Sequence, residues 1–223
     1  SICRCNWREK GIFPVASELK EGGRGIPFVL LIQYSRAGGR RVLKSPRPGV
    51  DCGFSWHGNA DLILAIVKLL EDAANADNDV FEVGVKGILL VEDSIRYYSN
   101  DLPELYKIVL TQSREFLKES LNEDQKKYRK RSRPKIFLAT CLEEALAYFR
   151  KYGRNLLGVI SDVGMVVHKG DDPKTEKLDA GIDLVKVIRE YDPLMPVLLH
   201  YSRGGLAQLA EDTGVGYPTQ SSR

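Results

Sequence analysis

Three acidic residues stand where two apolar runs of the chain end. Glu92 and Asp93 follow the run of residues 87–91, and Asp162 follows a similar run over residues 156–161. An apolar run of this length is typical of a strand that is covered on both faces of a parallel sheet. Because such strands end at one edge of the sheet, neighbouring strands would bring the three acids together there. Three carboxylates repel one another, so a hard divalent cation such as Mg²⁺ is the expected occupant.

In this arrangement one of the acids can accept a phosphoryl group on its carboxylate while the others hold a metal ion. One or two of them hold Mg²⁺, the metal neutralises the incoming phosphate, and the remaining acid attacks phosphorus to give an acyl phosphate. Asp162 is the predicted nucleophile because it stands alone after the more hydrophobic strand, which leaves Glu92 and Asp93 to share the metal. The competing interpretation is that all three are helix-capping acids without a ligand. That interpretation suits any single position better than it suits two strand ends together.

Five strand patterns alternate with helix patterns after residue 86. Pro103 lies inside the first and longest helix pattern, so that helix either kinks or begins there. The alternation predicts an α/β fold with a five-stranded parallel sheet that is wrapped by helices and has right-handed crossovers. The predicted strands are residues 87–91, 135–140, 156–162, 196–202 and 214–217, and the predicted helices are residues 94–128, 141–152, 180–191 and 205–212.

The first 80 residues are predicted to form a smaller α/β domain. Strands are expected over residues 26–35 and 50–56, and Asn59 is a candidate cap for a helix over residues 60–72. The apolar stripe of that helix is broad, so either it covers a sheet in the ordinary way or it packs on a partner domain or a second copy of the chain, as in a homodimer. A polar break follows at residues 75–79. The predicted domains are therefore residues 1–80 and 81–223.

Composition places the chain among ordinary globular proteins, since 43% of its residues are apolar and 28% are charged. No apolar stretch approaches a membrane span and the start lacks the order of a signal peptide, so a cytoplasmic location is expected. A net charge of +3 is too small to indicate nucleic acid. The basic run of residues 126–133 fits a solvated helix end better than a surface that grips phosphates. The scattered cysteines Cys3, Cys5, Cys52 and Cys141 are expected to be reduced structural thiols.

Residues 86–223 resemble the receiver domain of bacterial response regulators of two-component systems. The resemblance rests on the acid pair Glu92 and Asp93, on Asp162 after the third strand, and on the strand at residues 196–202. It implies a doubly wound, five-stranded sheet of the flavodoxin-like kind, and it implies that the acid pair and Asp162 bind Mg²⁺ with the backbone carbonyl of Gly164. It also implies that Asp162 receives phosphate in a phosphorelay from a histidine kinase or a phosphotransfer protein.

Two positions depart from the receiver pattern. The residue that ends the fourth strand and grips the phosphate is usually Ser or Thr, and here it falls on Tyr201, with Ser202 next to it. The lysine that usually ends the fifth strand is replaced by Thr219 or Gln220. Without that cation an acyl phosphate loses one charge-assisted contact. These departures leave either Tyr201 or Ser202 as the hydroxyl donor.

A narrower resemblance includes the upstream residues. The long first helix, together with residues 54–56 and 59–61, looks like the tandem receiver region found ahead of phosphoenolpyruvate synthase-like or pyruvate, phosphate dikinase-like enzymes. Residues 1–80 would then be a degenerate receiver that retains its fourth strand, fifth strand and last helix. No acid triad is visible there, so that part would be structural.

Three functions compete for this sequence. A receiver would accept a phosphoryl group on Asp162 and switch a partner or a fused domain. A pseudo-receiver would act without phosphorylation as a regulatory interaction module of a phosphoenolpyruvate synthase-like enzyme, which the replacements at the phosphate-gripping positions favour. An enzyme such as a metal-dependent phosphohydrolase fits less well, because no second acid lies two residues after the nucleophile. His57, His168 and His200 have no metal-ligand spacing and are expected at the surface or in the core.

Overall fold

The computed structural model describes residues 2–4, 17, 27–33, 49–118 and 133–200. The chain divides into two compact units. The first unit comprises Ser1–Ile66 and Ile95–Pro103, and the second comprises Val67–Ser94 and Glu104–Arg223. The placement of a domain boundary near residue 80 stays a prediction.

The strands and helices alternate along most of the described chain. The strands are β1 (Ile2–Arg4), β2 (Val29–Gln33), β3 (Cys52–Trp56), β4 (Gly87–Val91), β5 (Lys135–Ala139), β6 (Leu156–Asp162) and β7 (Val197–His200). The α-helices are α1 (Asp61–Asp77), α2 (Ile95–Lys118), α3 (Leu142–Tyr152) and α4 (Ala180–Tyr191). Short helices of other types are the π-helix Asn78–Glu82 and the 3₁₀ helices Gly153–Asn155 and Pro173–Thr175. The expected α/β fold with parallel sheets is confirmed.

The first unit contains a three-stranded parallel sheet in the order β1-β2-β3. β2 and β3 lie within the two strands that were predicted, but β1 was not expected from the sequence. With only three residues, β1 is too short for any alternation of apolar and polar residues to reveal it. The beginning of α2 contacts β3: Tyr98 donates its hydroxyl to the Gly53 carbonyl at 2.5 Å, and Ser99 Oγ accepts the Ser55 N–H at 2.9 Å.

The second unit contains a four-stranded parallel sheet in the order β5-β4-β6-β7. Counted from β4, this is the order 2-1-3-4, which matches the first four strands of the flavodoxin-like order 2-1-3-4-5. Leu90 pairs in register with Leu138 of β5 on one side and with Ile160 of β6 on the other. The predicted fifth strand, residues 214–217, and the helix before it lie outside the described residues.

Apolar side chains on one face of this sheet pack against α3 and α4 to form a core. α3 and α4 contribute one apolar stripe each, which explains their strong 3.6-residue periodicity in the sequence. Buried members of this core include Leu89, Val91, Phe137, Phe149, Val159, Leu184 and Ile188.

α2 continues through Pro103 instead of beginning there. An internal proline removes one backbone hydrogen bond and usually costs about 3 kcal/mol or more. The neighbouring residues Leu102 and Tyr106 are 0% and 1% exposed. The burial of these side chains offsets the cost of a proline inside the helix. The sequence pattern alone does not show which of the two effects is larger.

Arg133 is buried, contrary to the expectation that the basic run of residues 126–133 is a solvated helix end. Its side chain is 9% exposed and lies 2.5 Å from Asp72 of α1 through Nη2 and Oδ1. Residues 126–132 lie outside the described residues. Arg133 therefore belongs to the interior of the second unit.

Candidate metal centre

The carboxyl groups of Glu92, Asp93 and Asp162 converge in the second unit. One oxygen from each residue lies within 4.8 Å of the other two. Among the residues that the structure describes, these are the ones whose carboxylates group closely enough to share a metal ion. The structure therefore brings together the three acids that the two strand ends indicated.

The strand order explains this convergence. β4 and β6 are direct neighbours, and Val91 at the end of β4 pairs in register with Ser161 of β6. The chain leaves β4 toward β5 on one side and reaches β6 on the other side, so the strand order reverses between β4 and β6. Ligands of open α/β sheets bind at such a reversal, outside the carboxyl ends of the strands. The acids occupy this position.

Glu92 continues the line of β4 for one residue. Its N–H donates to the Ala139 carbonyl at 3.0 Å, and its side chain is only 3% exposed. Oε1 accepts the N–H of Ser94 at 2.9 Å, just before α2 begins. The buried carboxylate is thus oriented by the backbone that follows it.

Asp93 is held from the loop after β6. Its Oδ2 accepts the N–H of Val166 at 3.2 Å. Burial raises the pKa of Asp93 to about 6, and the negative charges of Glu176 and Asp162 add to this increase. Burial and like charge both disfavour the ionised carboxylate, so the site without a ligand holds Asp93 partly protonated near pH 6.

Asp162 is the last residue of β6 and lies beside His200 of β7 in the register of the two strands. Its Oδ1 accepts the N–H of Val163 at 2.7 Å. Burial raises the pKa of Asp162, and the charge of Glu176 adds to the increase. The N–H groups of Val163 and Gly164 and the charge of His200 act in the opposite direction.

The donor set fits a hard divalent cation. All three ligands offer carboxylate oxygens, which Mg²⁺ and Ca²⁺ prefer. Two of the carboxyl groups have raised pKa values, so a positive charge among them would relieve a real electrostatic cost. Glu92, Asp93 and Asp162 are therefore the residues that would hold the ion.

Gly181 lets α4 approach the backbone of Asp162. A Cβ at Gly181 would overlap the carbonyl oxygen of Asp162 and would lie 2.9 Å from Val163 Cα. The Gly181 N–H donates to the Val163 carbonyl at 2.8 Å. The beginning of α4 therefore fixes the end of β6, and with it the position of the Asp162 carboxylate.

Replacing Gly181 by alanine is expected to destabilise the protein by about 1–3 kcal/mol and to weaken Mg²⁺ binding, because the methyl group must displace the Asp162 backbone. Urea unfolding and calorimetric titration with Mg²⁺ would measure the two effects. Gly153→Ala is the matched control, since its nearest neighbour would be a Phe149 ring atom at 3.4 Å. Equal stability and Mg²⁺ affinity in the two variants would contradict this role of Gly181.

The structure does not test the roles of the other site residues that the sequence predicted. Gly164 is buried two residues after the end of β6, and the role of its carbonyl as a metal ligand stays a prediction. Tyr201, Ser202 and the positions at Thr219 and Gln220 lie outside the described residues. Their role in binding a phosphate therefore remains a prediction.

Sequence reasoning missed two residues near the acids. Glu176 is in the loop after β6, where no periodic pattern indicates its position, and its charge acts on both Asp93 and Asp162. His200 was expected at the surface or in the core, but it lies in register with Asp162. The alignment of residues 156–162 beside residues 196–202 in a parallel sheet could have indicated His200, whereas nothing in the sequence places Glu176.

No family model matches the chain, and no curated protein matches it. The response regulator receiver domain protein from Clostridium thermocellum resembles it with a TM-score of 0.38 and 18% identity, covering 62% of this chain and 85% of that chain. GanP, a glucose-galactose binding protein from Geobacillus stearothermophilus, resembles it with a TM-score of 0.30 and 13% identity, covering 91% of this chain and 57% of that chain. At these TM-scores neither likeness decides the fold, which rests on the observed strand order.

The described part of the chain contains the helices α1, α2, α3 and α4 and the short helices of other types. None of the helices there combines the length and the apolar character that crossing a bilayer requires.

Proposed function

We propose that the second unit is a phosphoacceptor receiver module, which binds Mg²⁺ at Glu92, Asp93 and Asp162 and accepts a phosphoryl group on Asp162. The observation that carries this proposal is the convergence of the three carboxylates within 4.8 Å of one another. Their place at the reversal of the strand order supports it, because this is where such sheets bind ligands. The proposed donor is a phosphohistidine of a kinase or of a phosphotransfer protein.

The transfer requires one bond to form and one to break. A carboxylate oxygen of Asp162 attacks phosphorus, the bond between phosphorus and the donor nitrogen breaks, and the donor imidazole leaves with the electron pair. The N–H groups of Val163 and Gly164 orient the Asp162 carboxylate. Mg²⁺, when bound, supplies positive charge that offsets the repulsion between the phosphoryl oxygens and the carboxylates. Glu92 and Asp93 are the residues that would hold the cation beside Asp162.

Incubation with Mg²⁺ and acetyl phosphate, a small phosphodonor, tests the proposal. Intact-protein mass spectrometry is expected to show one added phosphoryl group, and chelation of Mg²⁺ or the variant Asp162→Asn is expected to abolish it. Asp171→Asn is the matched control, because Asp171 is an exposed acid of the loop after β6. Wild-type protein that binds Mg²⁺ but never gains a phosphoryl group would contradict phosphoacceptance and support the pseudo-receiver, an interaction module of a phosphoenolpyruvate synthase-like enzyme.

A further inference from the structure

Glu176 occupies the space that a side chain of residue 164 would fill. A Cβ added at Gly164 would overlap Oε1 of Glu176 and would lie 3.3 Å from its Cδ. Gly164 is two residues beyond Asp162, so the Glu176 carboxyl group lies against the backbone that follows the proposed phosphoacceptor. A larger residue at position 164 would exclude the Glu176 carboxyl group from this place.

The loop after β6 fixes Glu176 in this place. The next residue, Lys177, forms an isolated antiparallel bridge with Met165: the Met165 N–H donates to the Lys177 carbonyl at 3.2 Å, and the Lys177 N–H donates to the Met165 carbonyl at 2.9 Å. Met165 is 0% exposed, so the bridge is tied to the core. Within residues 168–179, all of which are described, Glu176 is the residue that is not exposed. The backbone bridge next to Glu176 therefore fixes its partly buried position in the loop.

Glu176 lies close enough to the acidic triad for its charge to act on two of the three acids. Its negative charge contributes to the raised pKa of both Asp93 and Asp162, after the larger effect of burial. The carboxylate oxygens that lie within 4.8 Å of one another come from Glu92, Asp93 and Asp162 and do not include those of Glu176. Glu176 is therefore placed to act on a bound cation through a bridging water or through its charge.

We propose that Glu176 is a fourth carboxylate of the metal centre, which strengthens cation binding and slows phosphoryl transfer to Asp162. The inference rests on the proposed function of the second unit. A further negative charge beside a bound cation attracts it, and residues just beyond the direct ligands commonly change metal affinity by about 10- to 100-fold. The same charge repels an incoming phosphoryl group, which is itself an anion. One residue thus sets the balance between holding the cation and accepting phosphate.

The test compares Glu176→Gln with wild type in two measurements: calorimetric titration with Mg²⁺, and the rate of phosphoryl incorporation from acetyl phosphate at saturating Mg²⁺. The variant is expected to bind Mg²⁺ about tenfold more weakly and to accept the phosphoryl group about threefold faster or more. Glu190→Gln on α4 is the matched control, because Glu190 is exposed. It is expected to match wild type in both measurements.

Opposite changes in affinity and rate distinguish a charge effect from simple damage to the fold, which would lower both. A second variant, Gly164→Ala, keeps the charge but displaces the carboxyl group, and weaker Mg²⁺ binding is expected there too. If Glu176→Gln matches wild type in both measurements, the role of Glu176 is overturned while the receiver function stands. If wild type neither binds Mg²⁺ nor gains a phosphoryl group, the receiver function and this inference fail together.

Discussion

Replacing Asp72 by alanine is expected to lower the free energy of unfolding by about 3–5 kcal/mol, the usual cost of breaking a buried ion pair from one side. The Asp72 carboxylate is 0% exposed. It accepts two hydrogen bonds from the Arg133 guanidinium at 2.5 and 3.1 Å, one from the Tyr106 hydroxyl at 2.8 Å and one from the Ile136 N–H at 3.1 Å. Lys135 lies 3.4 Å away. Removal of the Asp72 carboxylate would leave the buried Arg133 cation without the carboxylate that accepts its hydrogen bonds.

Glu71→Ala is the matched control for this prediction. Glu71 precedes Asp72 on the same helix, but its side chain is 43% exposed and its distance to Arg133 is 3.9 Å, so its loss is expected to cost about 1 kcal/mol or less. Urea unfolding followed by circular dichroism would measure both variants. The double variant Asp72→Leu with Arg133→Met is expected to recover much of the loss, because no cation is then stranded at position 133. A loss for Asp72→Ala no larger than for Glu71→Ala would refute the argument.

The elements that position the acids could be predicted because their sequence signals are local. The apolar run of β4 ends at Glu92, and the apolar run of β6 ends at Asp162. In each case the acidic residue marks the carboxyl end of the strand in the sequence. The alternation of strands and helices then requires parallel pairing. Local pattern and topology together were enough to bring the acid pair and Asp162 to one edge.

The remaining features depend on contacts between distant parts of the chain. Arg133 reads as one charge in a basic run, and only the fold shows that its partner is Asp72, 61 positions away. Glu176 is placed by one isolated bridge in a loop, which leaves no trace in composition or periodicity. β1 has only three residues and is defined by its neighbour β2. The positions of these residues are therefore determined by long-range contacts and not by local sequence propensity.

The metal-free protein is expected to become more stable as the pH falls from about 7 to about 5. The pKa of Asp93 is raised from its ordinary value of 3.8 to about 6 in the folded protein. Between these values the folded state binds more protons than the unfolded state, so the free energy of unfolding decreases as the pH rises. The pKa of Asp162 is raised as well, which acts in the same direction.

Groups with lowered pKa values act at more acidic pH. Burial is the largest single influence on the pKa of Asp79 and of Glu144 and raises it, but several contacts, chiefly with Lys135 for Asp79 and with Lys169 and Thr140 for Glu144, together outweigh burial and lower the pKa. The stability that such carboxylates contribute is present above their unfolded pKa and is lost only as the pH falls through their lower folded values. Among the described carboxylates with shifted pKa values, Asp93 and Asp162 of the metal centre therefore determine the slope between pH 5 and 7.

Urea unfolding of metal-free protein at pH 5 and pH 7 is expected to differ by about 1–2 kcal/mol, less than the full pKa shift implies, because Asp93 is only partly buried. Asp93→Asn should remove most of this difference, and the exposed loop variant Asp171→Asn should retain it. Mg²⁺ should stabilise the protein more at pH 7 than at pH 5, because protons compete with the cation for the carboxylates. A flat pH profile in metal-free wild type, together with equal Mg²⁺ stabilisation at both pH values, would show that burial and mutual repulsion do not disfavour the ionised acids.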